Sequence, residues 1–332
     1  MVRLKTIYFI YIKEKTMTIT LNEVDKVEIL TLQDNYIDLV SGDNTEIVQR
    51  ALPVRDMEVK NSVLAEHGFS SLVTVTEGLK SHKILFDFGF SAIGAAFNAD
   101  ALGVDLAEVE VAALSHGHPD HVGGLSELNK RVGKKGLELV VHPQAFRNER
   151  YSKTGDGQKV RFPDFTKETV EKAGMVVRET EGPCSLLDNQ VLFLGGVPRL
   201  TEFEKGAPNL VYMINGKEVQ DEIPDDTSLV INVKGKGLII LSGCAHSGII
   251  NTVKYAKQIT GVDKVFVIMG GFHLTGPHMA AVIAPTVSHL KEIGPTFVVP
   301  THCTGRNAMM EIERQMPENF ILNMVGTRLS FS

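Results

Sequence analysis

The stretch that decides the fold is Ser115-His116-Gly117-His118-Pro119-Asp120-His121, in which three imidazoles and one carboxylate fall within six residues. It follows a mostly apolar run at 109–114 and precedes Val122-Gly123-Gly124-Leu125. This order predicts a buried strand that ends in a polar turn and leads into a helix. Imidazole nitrogen and carboxylate oxygen are ligands of Zn²⁺, Mn²⁺ and Fe²⁺. A merely solvated turn is the alternative, but four such side chains in the order H-x-H-x-D-H favour a metal site.

The stretch resembles the metal-binding signature of the metallo-β-lactamase superfamily. Three further segments resemble strands of that family and occur in the family's order, at 83–89, 237–244 and 298–303. The resemblance extends from about Leu21 to the C-terminus. It implies an α/β fold, a four-layer αββα sandwich in which two mixed sheets pack face to face with helices outside.

Apolar segments along the chain fit this layered fold. Strands are predicted at 27–32, 71–76, 83–88, 109–114, 137–142, 190–193, 228–233, 238–241, 264–269 and 296–299. Helices are predicted at 98–101, 121–128, 164–173, 248–258 and 279–293. The longest irregular regions are predicted at 43–68 and 147–159, and the second, which combines glycines with cations, is a candidate surface loop or lid.

Residues 17–332 are predicted to form a single domain. Residues 1–16 are predicted to be a dispensable N-terminal extension or an extra edge strand. Their apolar run at 6–12 is far shorter than the ~20 residues that a membrane-spanning helix needs. It also lacks the small-residue cleavage pattern of a signal peptide.

Composition narrows the class of partner. The chain has 332 residues, a formal net charge of −6 at pH 7 and three widely spaced cysteines, Cys184, Cys244 and Cys303. Lysine and arginine are scattered among acidic residues, so no nucleic-acid-binding surface is expected. An odd number of distant cysteines argues against a disulfide framework and favours the cytoplasm. We expect a cytoplasmic protein with a small-molecule substrate and no membrane partner, and the sequence leaves the oligomeric state open.

The resemblance implies a binuclear metal centre. Carried over by position, His116 and His118 bind one ion, Asp120 and His121 bind the second, and His302 adds a ligand to the second site. Zn²⁺ is the expected ion, with Mn²⁺ or Fe²⁺ as alternatives. Two ions about 3.5–4 Å apart can share an activated hydroxide.

The chain departs from the usual family pattern at the ligand that completes the first site. No histidine occurs between His142 and His246, and the family's Gly-Asp pair is replaced by Gly243-Cys244. Either Cys244 or His246 can coordinate, since the first ends a strand and the second lies in a turn that can swing inward. We expect His246, with Asp120, to belong to the catalytic centre, because a thiolate would make the site unusually soft. Cys244 is then a small buried side chain beside the ligands.

Other polar residues are expected around the ligands. Asp87 can accept the second N–H of a ligand imidazole and so fix its tautomer. His67 and His273 lie next to predicted strands and are candidates for substrate contact, with an ordinary loop role as the equal alternative.

Several segments narrow the resemblance to one branch of the superfamily, at 66–70, 198–204, 242–248, 271–274 and 300–305. This branch includes the archaeal synthase that joins a dihydropterin-methyl pyrophosphate to ribofuranosylaminobenzene 5′-phosphate in methanopterin biosynthesis. The resemblance implies a metal-dependent transfer of the pterin methylene group to an arylamine, with loss of pyrophosphate.

A phosphorylated substrate requires cationic partners. Arg199 and Arg306 are candidates, because guanidinium forks match phosphate oxygens, and surface ion pairs are the alternative. Glu202 and Glu204 can accept hydrogen bonds from an amino-heterocycle, and the alternative is that they neutralise Arg199 at the surface. Two other functions stay open, because one fold supports many chemistries: a metal-hydroxide hydrolase of a phosphodiester, lactone or thioester, and a ligand-binding sensor without catalysis.

Overall fold

The computed structural model of the protein describes residues 18–52, 54–59 and 62–332. The prediction for residues 1–16 falls outside these residues. Within them, each predicted strand and helix has a counterpart.

One large sheet is built mainly from the N-terminal half of the chain. It has eight strands in the spatial order Met175–Glu179, Leu137–Val141, Val109–Ala113, Lys80–Phe86, Ser70–Glu77, Lys26–Gln33, Arg328–Phe331 and Val48–Gln49. Pairing is parallel between the strands Lys80–Phe86 and Val109–Ala113 and antiparallel around Ser70–Glu77, so the sheet is mixed.

The second large sheet comes mainly from the C-terminal half. Six of its strands follow the spatial order Cys184–Leu186, Val191–Phe193, Ser228–Val233, Gly237–Ser242, Val265–Gly271 and Phe297–Thr301. The short strand Glu23–Val24 pairs with Ser228–Val233 as the seventh. The last three strands of the order are parallel to one another, which brings their carboxyl ends to one edge of the sheet.

Alternation of side chains along the strands creates the four layers. Ile84 and Phe86 point into the core between the two sheets, whereas Leu85 points to the outer core under the helices. In the second sheet Ile239 lies in the central core and Ile240 in the opposite outer core. The predicted αββα sandwich is therefore confirmed.

Helices cover the outer face of each sheet. The α-helices are Gly94–Leu102, Pro119–Val122, Leu125–Val132, Lys167–Lys172, Ile249–Thr260, Ala280–Ile293 and Arg306–Gln315. Short 3₁₀ helices occur at Pro143–Phe146, Pro277–Met279 and His302–Thr304. Across the described ranges, no helix combines the length and the apolarity needed to span a bilayer.

A small antiparallel sheet replaces the loop that was predicted at 147–159. Its strands follow the order Lys159–Arg161, Arg150–Lys153, Leu210–Ile214 and Lys217–Gln220. The loop prediction was wrong because polar composition concealed a hairpin whose first residue, Arg150, is buried. The other predicted irregular region, 43–68, contains three two-residue strands, namely Val48–Gln49 and the paired strands Val54–Arg55 and Glu58–Val59.

Candidate metal centre

The ligand-type side chains lie where strands of the two facing sheets end. The stretch from Ser115 to His121 follows the strand Val109–Ala113 of the eight-stranded sheet. In the opposite sheet, Cys244 follows Gly237–Ser242 and His302 follows Phe297–Thr301. The ends of buried strands from both sheets thus present these side chains to one another.

The first group consists of His116, His118 and His246, with one ring nitrogen of each lying within 4.8 Å of the others. Nε2 of His116 is 3.0 Å from Nδ1 of His118 and 3.1 Å from Nε2 of His246. Burial lowers the pKa of all three imidazoles, to about 3 for His118. Neutral imidazoles that converge on one point fit a divalent cation, which accepts their lone pairs without displacing a proton.

The second group consists of Asp120, His121, Cys244 and His302, whose ligand atoms also lie within 4.8 Å of one another. Nε2 of His302 is 3.0 Å from Oδ2 of Asp120, and Nε2 of His121 is 3.1 Å from Sγ of Cys244. Nitrogen, carboxylate oxygen and sulfur together are a donor set that suits zinc. The structure thus brings His246 into the first group and Cys244 into the second, and these two side chains also lie with His273 in a third set whose ligand atoms are within 4.8 Å of one another.

Charge in the second group is set by buried acids. Burial lowers the pKa of His121, but the carboxylates of Asp87 and Asp120 outweigh it and raise this pKa to about 9. Nδ1 of His121 lies 2.6 Å from Oδ2 of Asp87, which leaves Nε2 facing the rest of the group. Burial also raises the pKa of the Cys244 thiol. A bound divalent ion would supply the positive charge that a thiolate requires at this depth.

Asp87 and Ser115 hold the ligand-bearing turn in place. Oδ1 of Asp87 accepts the backbone N–H of Ser115 at 2.7 Å, and Oδ2 accepts its hydroxyl at 2.7 Å. Across the site, a Cβ on Gly243 would lie 2.0 Å from Oγ of Ser115. Only glycine permits this approach of the two strand ends.

A buried ion-pair network supports the same turn from the small sheet. Nη2 of Arg150 is 2.5 Å from Oδ1 of Asp225, and its Nε is 2.9 Å from Oδ2 of Asp221. Oδ2 of Asp225 accepts the backbone N–H of Gly117 at 2.8 Å. Although burial opposes it, the Arg150 guanidinium lowers the pKa of Asp225 to about 2. A charged network therefore fixes the residue between the first two histidines.

A second acid positions the loop that carries His246. The two carboxylate oxygens of Asp226 accept the backbone N–H groups of His246 and Ser247, each at 2.9 Å. Sequence analysis missed Asp225 and Asp226 as well as Arg150. The available signal was a pair of adjacent carboxylates one residue before the apolar strand Ser228–Val233, because a buried acid at a strand end needs a partner.

Backbone strain collects at the centre. Asp87, Ala245, His273 and His302 have positive φ angles of 59°, 50°, 44° and 46°. Side chains rarely adopt this left-handed conformation, and such residues cluster at functional sites. The positive φ angles therefore support a functional role for this part of the fold, where the backbone is strained.

A cavity of about 230 Å³ opens over both groups. His67 and His273 line it on two sides, and Nε2 of His67 is 3.4 Å from Oδ2 of Asp120. Phe162, which directly follows the small-sheet strand Lys159–Arg161, also lines the cavity, and its ring centroid is 5.1 Å from that of His118. The small sheet thus contributes to one wall of the cavity above the two groups.

The residues proposed for phosphate or heterocycle contact fall in different places. Arg199 donates from Nη2 to the carbonyl of Glu222 at 2.8 Å, so its guanidinium braces backbone. Glu204 is buried and accepts the N–H groups of Ile250 and Asn251 at 2.9 and 2.8 Å, which caps the helix Ile249–Thr260. Arg306 is exposed and lines two further cavities next to the metal centre.

A second sulfur, from Cys303, lies beside the second group. Sγ of Cys303 is 3.1 Å from Sγ of Cys244, and both cysteines are free and buried. Sequence analysis gave Cys303 no role, although it directly follows His302 at the end of the strand Phe297–Thr301.

Comparisons with known proteins identify the family. Residues 66–197 match the model of the metallo-β-lactamase superfamily. A curated relative from Methanocaldococcus jannaschii, 7,8-dihydropterin-6-methyl-4-(β-D-ribofuranosyl)-aminobenzene-5′-phosphate synthase, is 30% identical over 330 residues, covering 95% of this chain and 100% of the relative. A second protein of that archaeon, named as uncharacterised, is 31% identical over 269 residues, covering 79% of this chain and 92% of its own length.

Among solved structures, Tm1679, described as a metal-dependent hydrolase of the β-lactamase superfamily, superposes with a TM-score of 0.68 at 24% identity. The match covers 92% of this chain and 98% of Tm1679 and supports the same fold. The ligand order along the sequence, the facing strand ends and the full-length similarity lead to one conclusion: the chain belongs to the metallo-β-lactamase superfamily, in the branch that contains the dihydropterin–aminobenzene phosphate synthase.

Proposed function

We propose that this chain is a metal-dependent transferase that joins a dihydropterin-methyl pyrophosphate to a ribofuranosylaminobenzene phosphate. The observation that carries the proposal is the convergence of two ligand groups at the strand ends, in a chain similar over its full length to the archaeal synthase. The alternatives, a metal-hydroxide hydrolase and a non-catalytic sensor, are not favoured by that similarity.

The centre is proposed to hold two divalent ions, with Zn²⁺ as the expected metal. His116, His118 and His246 would hold the first ion. Asp120, His121 and His302 would hold the second, with Cys244 within reach as a further ligand. In this proposed assignment both Cys244 and His246 have a place. The sulfur in the second group supports zinc over Mn²⁺.

The proposed reaction is a substitution at the methylene carbon of the pterin. The arylamine nitrogen forms a bond to this carbon while the carbon–oxygen bond to pyrophosphate breaks, and pyrophosphate leaves with the electron pair. Bound divalent ions would supply Lewis-acid stabilisation of the charge on the departing oxygen. The nitrogen then loses one proton.

The protein's own groups supply orientation and proton transfer. His67 lies at the cavity mouth with an exposed side chain and its ring against Asp120, which raises its pKa. Nε2 faces the Asp120 carboxylate and is therefore the protonated nitrogen, which leaves Nδ1, 3.2 Å from the amide nitrogen of Asn35, as the candidate acceptor for the proton that the arylamine nitrogen loses. Phe162 and Leu210 give the cavity an apolar wall that excludes water from the reacting carbon.

The substrates are proposed to be phosphorylated small molecules, as the name of the archaeal relative implies for that enzyme. Three free cysteines, two of them in sulfur contact without a bond, support a reducing compartment such as the cytoplasm.

The test is a reconstituted assay with both substrates and a defined metal content. The metal-loaded chain should release pyrophosphate only when the arylamine is present and should form the condensation product. Bis-p-nitrophenyl phosphate serves as the hydrolase probe. Its rapid cleavage, together with the absence of condensation product, would favour the hydrolase instead.

A further inference from the structure

We propose that a second cavity, between the helix Arg306–Gln315 and Tyr36, binds the dihydropterin ring, with Glu313 at the heterocycle edge and Arg306 at the pyrophosphate. This inference rests on the proposed function and names the place of one substrate. Apart from His302, the residues that line this cavity lie outside the two ligand groups.

The cavity has a volume of about 460 Å³, within the usual range of ligand pockets of ~300–1,000 Å³. Its walls are largely apolar, with Tyr36, Met309, Met310 and Phe320 among the lining residues. Tyr36 and Met310 are 45% and 53% exposed, so aromatic and thioether surface faces an open space. A flat heteroaromatic ring would cover that surface, and methionine contacts aromatic edges favourably.

The helix Arg306–Gln315 supplies one wall through a single stripe of side chains. Arg306, Met309, Met310 and Glu313 are spaced i, i+3, i+4 and i+7, which places them on one helix face. At 1.5 Å per residue, Arg306 and Glu313 stand roughly 10 Å apart along the helix axis. The stripe therefore offers a cation, an apolar middle and a carboxylate in sequence.

These two end groups are free for a ligand. Among the residues that the structure describes, neither Arg306 nor Glu313 makes an ion pair or a side-chain hydrogen bond. The floor of the cavity, by contrast, is internally satisfied: Asp34 accepts the backbone N–H of His302 at 2.9 Å and the amide of Asn323 at 2.6 Å. Recognition of a polar ligand thus falls to Arg306 and Glu313.

The two charged ends of this stripe, Arg306 and Glu313, match the two ends of a dihydropterin-methyl pyrophosphate. The amino-pyrimidine edge of a pterin presents an amino group and a ring N–H on one side, and a carboxylate accepts both. A guanidinium pairs with phosphate oxygens. The reactive methylene carbon would then lie between the ring and the pyrophosphate.

The orientation follows from the connection to the metal centre. His302 lines the cavity and belongs to the second ligand group. Asn35, also in the lining, has its side chain 3.1 Å from Nδ1 of His302 and 3.2 Å from Nδ1 of His67. The end of the cavity that carries Arg306 therefore adjoins the metal ligands, which is where the leaving pyrophosphate is needed. The arylamine would then occupy the smaller cavity, of about 230 Å³, over the two ligand groups.

Calorimetry on the metal-loaded chain tests the assignment with two probes. The probes are 6-hydroxymethyl-7,8-dihydropterin, which has the ring alone, and the dihydropterin-methyl pyrophosphate. Glu313→Gln should weaken both about ten- to a hundredfold, since a charged hydrogen-bond acceptor is lost. Arg306→Gln should weaken only the pyrophosphate probe, by a similar factor.

Matched controls lie on the same helix. Glu311→Gln and Arg314→Gln remove the two charges of an exposed i, i+3 pair and should leave both affinities within about twofold. Unchanged binding of the ring probe to Glu313→Gln would overturn the inference. So would an Arg306→Gln variant that loses affinity for the ribofuranosylaminobenzene phosphate but not for the pterin pyrophosphate.

The same experiment separates this inference from the proposed function. If Glu313→Gln and Arg306→Gln behave as stated but the wild-type chain forms no condensation product, the pterin site stands and the transferase fails. If product forms while Glu313→Gln leaves the KM for the pterin unchanged, the transferase stands and the pterin site fails.

Discussion

Replacing Arg150 by methionine tests how the turn that carries His116 and His118 is supported. Arg150 is 3% exposed and is the cation beside the buried carboxylates of Asp225 and Asp221. Methionine fills similar space but leaves Asp225 without its cation, whereas Asp221 keeps Arg147, whose Nη1 lies 3.0 Å from its Oδ1. Breaking a buried ion pair in this way costs about 3–5 kcal/mol, a large share of the ~5–15 kcal/mol that a domain has. We therefore expect a loss of that size at pH 7, together with weaker metal binding through Gly117.

The stability lost in Arg150→Met should depend on pH, and the pKa of Asp225 sets the direction of that dependence. The pKa of Asp225 in the folded protein is about 2, below its usual value of 3.8, so its contribution is present above pH 3.8 and is lost as pH falls towards 2. That shift corresponds to about 2–3 kcal/mol. In the variant, burial acts without the arginine and raises this pKa, so Asp225 takes up a proton more easily. The difference between wild type and variant should therefore shrink between pH 7 and pH 4.

Urea unfolding of the metal-free protein at pH 7 and pH 4 measures both effects. Arg161→Met is the matched control, because Arg161 lies in the same small sheet and pairs with Asp164 at the surface, at 2.8 Å. Exposed pairs contribute about 0–1 kcal/mol, so this variant should be nearly as stable as wild type. An Arg150→Met variant that loses no more stability than Arg161→Met would refute the reasoning, as would a loss that grows at pH 4.

Three further changes have defined outcomes. His118→Ala should lower the bound metal, measured by elemental analysis, and abolish turnover while the circular dichroism stays native; full metal content would contradict the first ligand group. Gly243→Ala should cost several kcal/mol in urea unfolding, because its Cβ would meet Oγ of Ser115 at 2.0 Å, and a stability equal to wild type would show that the strand ends can separate freely. A chain that starts at Met17 should keep its metal content and melt within a few degrees of the full chain, whereas a loss of more than roughly 2 kcal/mol would make residues 1–16 part of the core.

The sequence predicted the fold because its signals were local and periodic. Alternating apolar residues in the strands and the contiguous run from His116 to His121 are visible without tertiary information. The strand Arg150–Lys153 forms a local hairpin with Lys159–Arg161, but its place in the small sheet also depends on the distant strand Leu210–Ile214. The carboxylates that pair with Arg150 lie 71 and 75 positions away, so neither feature is visible locally. Local composition there is that of a loop.

The candidate site was predictable only where its residues are adjacent in sequence. The positions of Cys244 and His246, which belong to different ligand groups and also share a third set with His273, depend on how the turn after Gly243 bends. Ala245 in that turn has a positive φ that no residue pattern predicts. The sequence made Glu204 a candidate for substrate contact, yet its carboxylate caps a helix. The sequence alone could not distinguish Arg199 from Arg306. In the structure Arg199 hydrogen-bonds to a backbone carbonyl, whereas Arg306 faces a cavity.

The most direct test of the central claim is the stoichiometry of pyrophosphate release by the metal-loaded chain with and without the arylamine substrate. A transferase predicts one condensation product for each pyrophosphate released, and negligible release when the dihydropterin-methyl pyrophosphate is supplied alone. Release at the same rate without the arylamine, giving the hydroxymethyl-dihydropterin, would contradict the account and identify water as the acceptor.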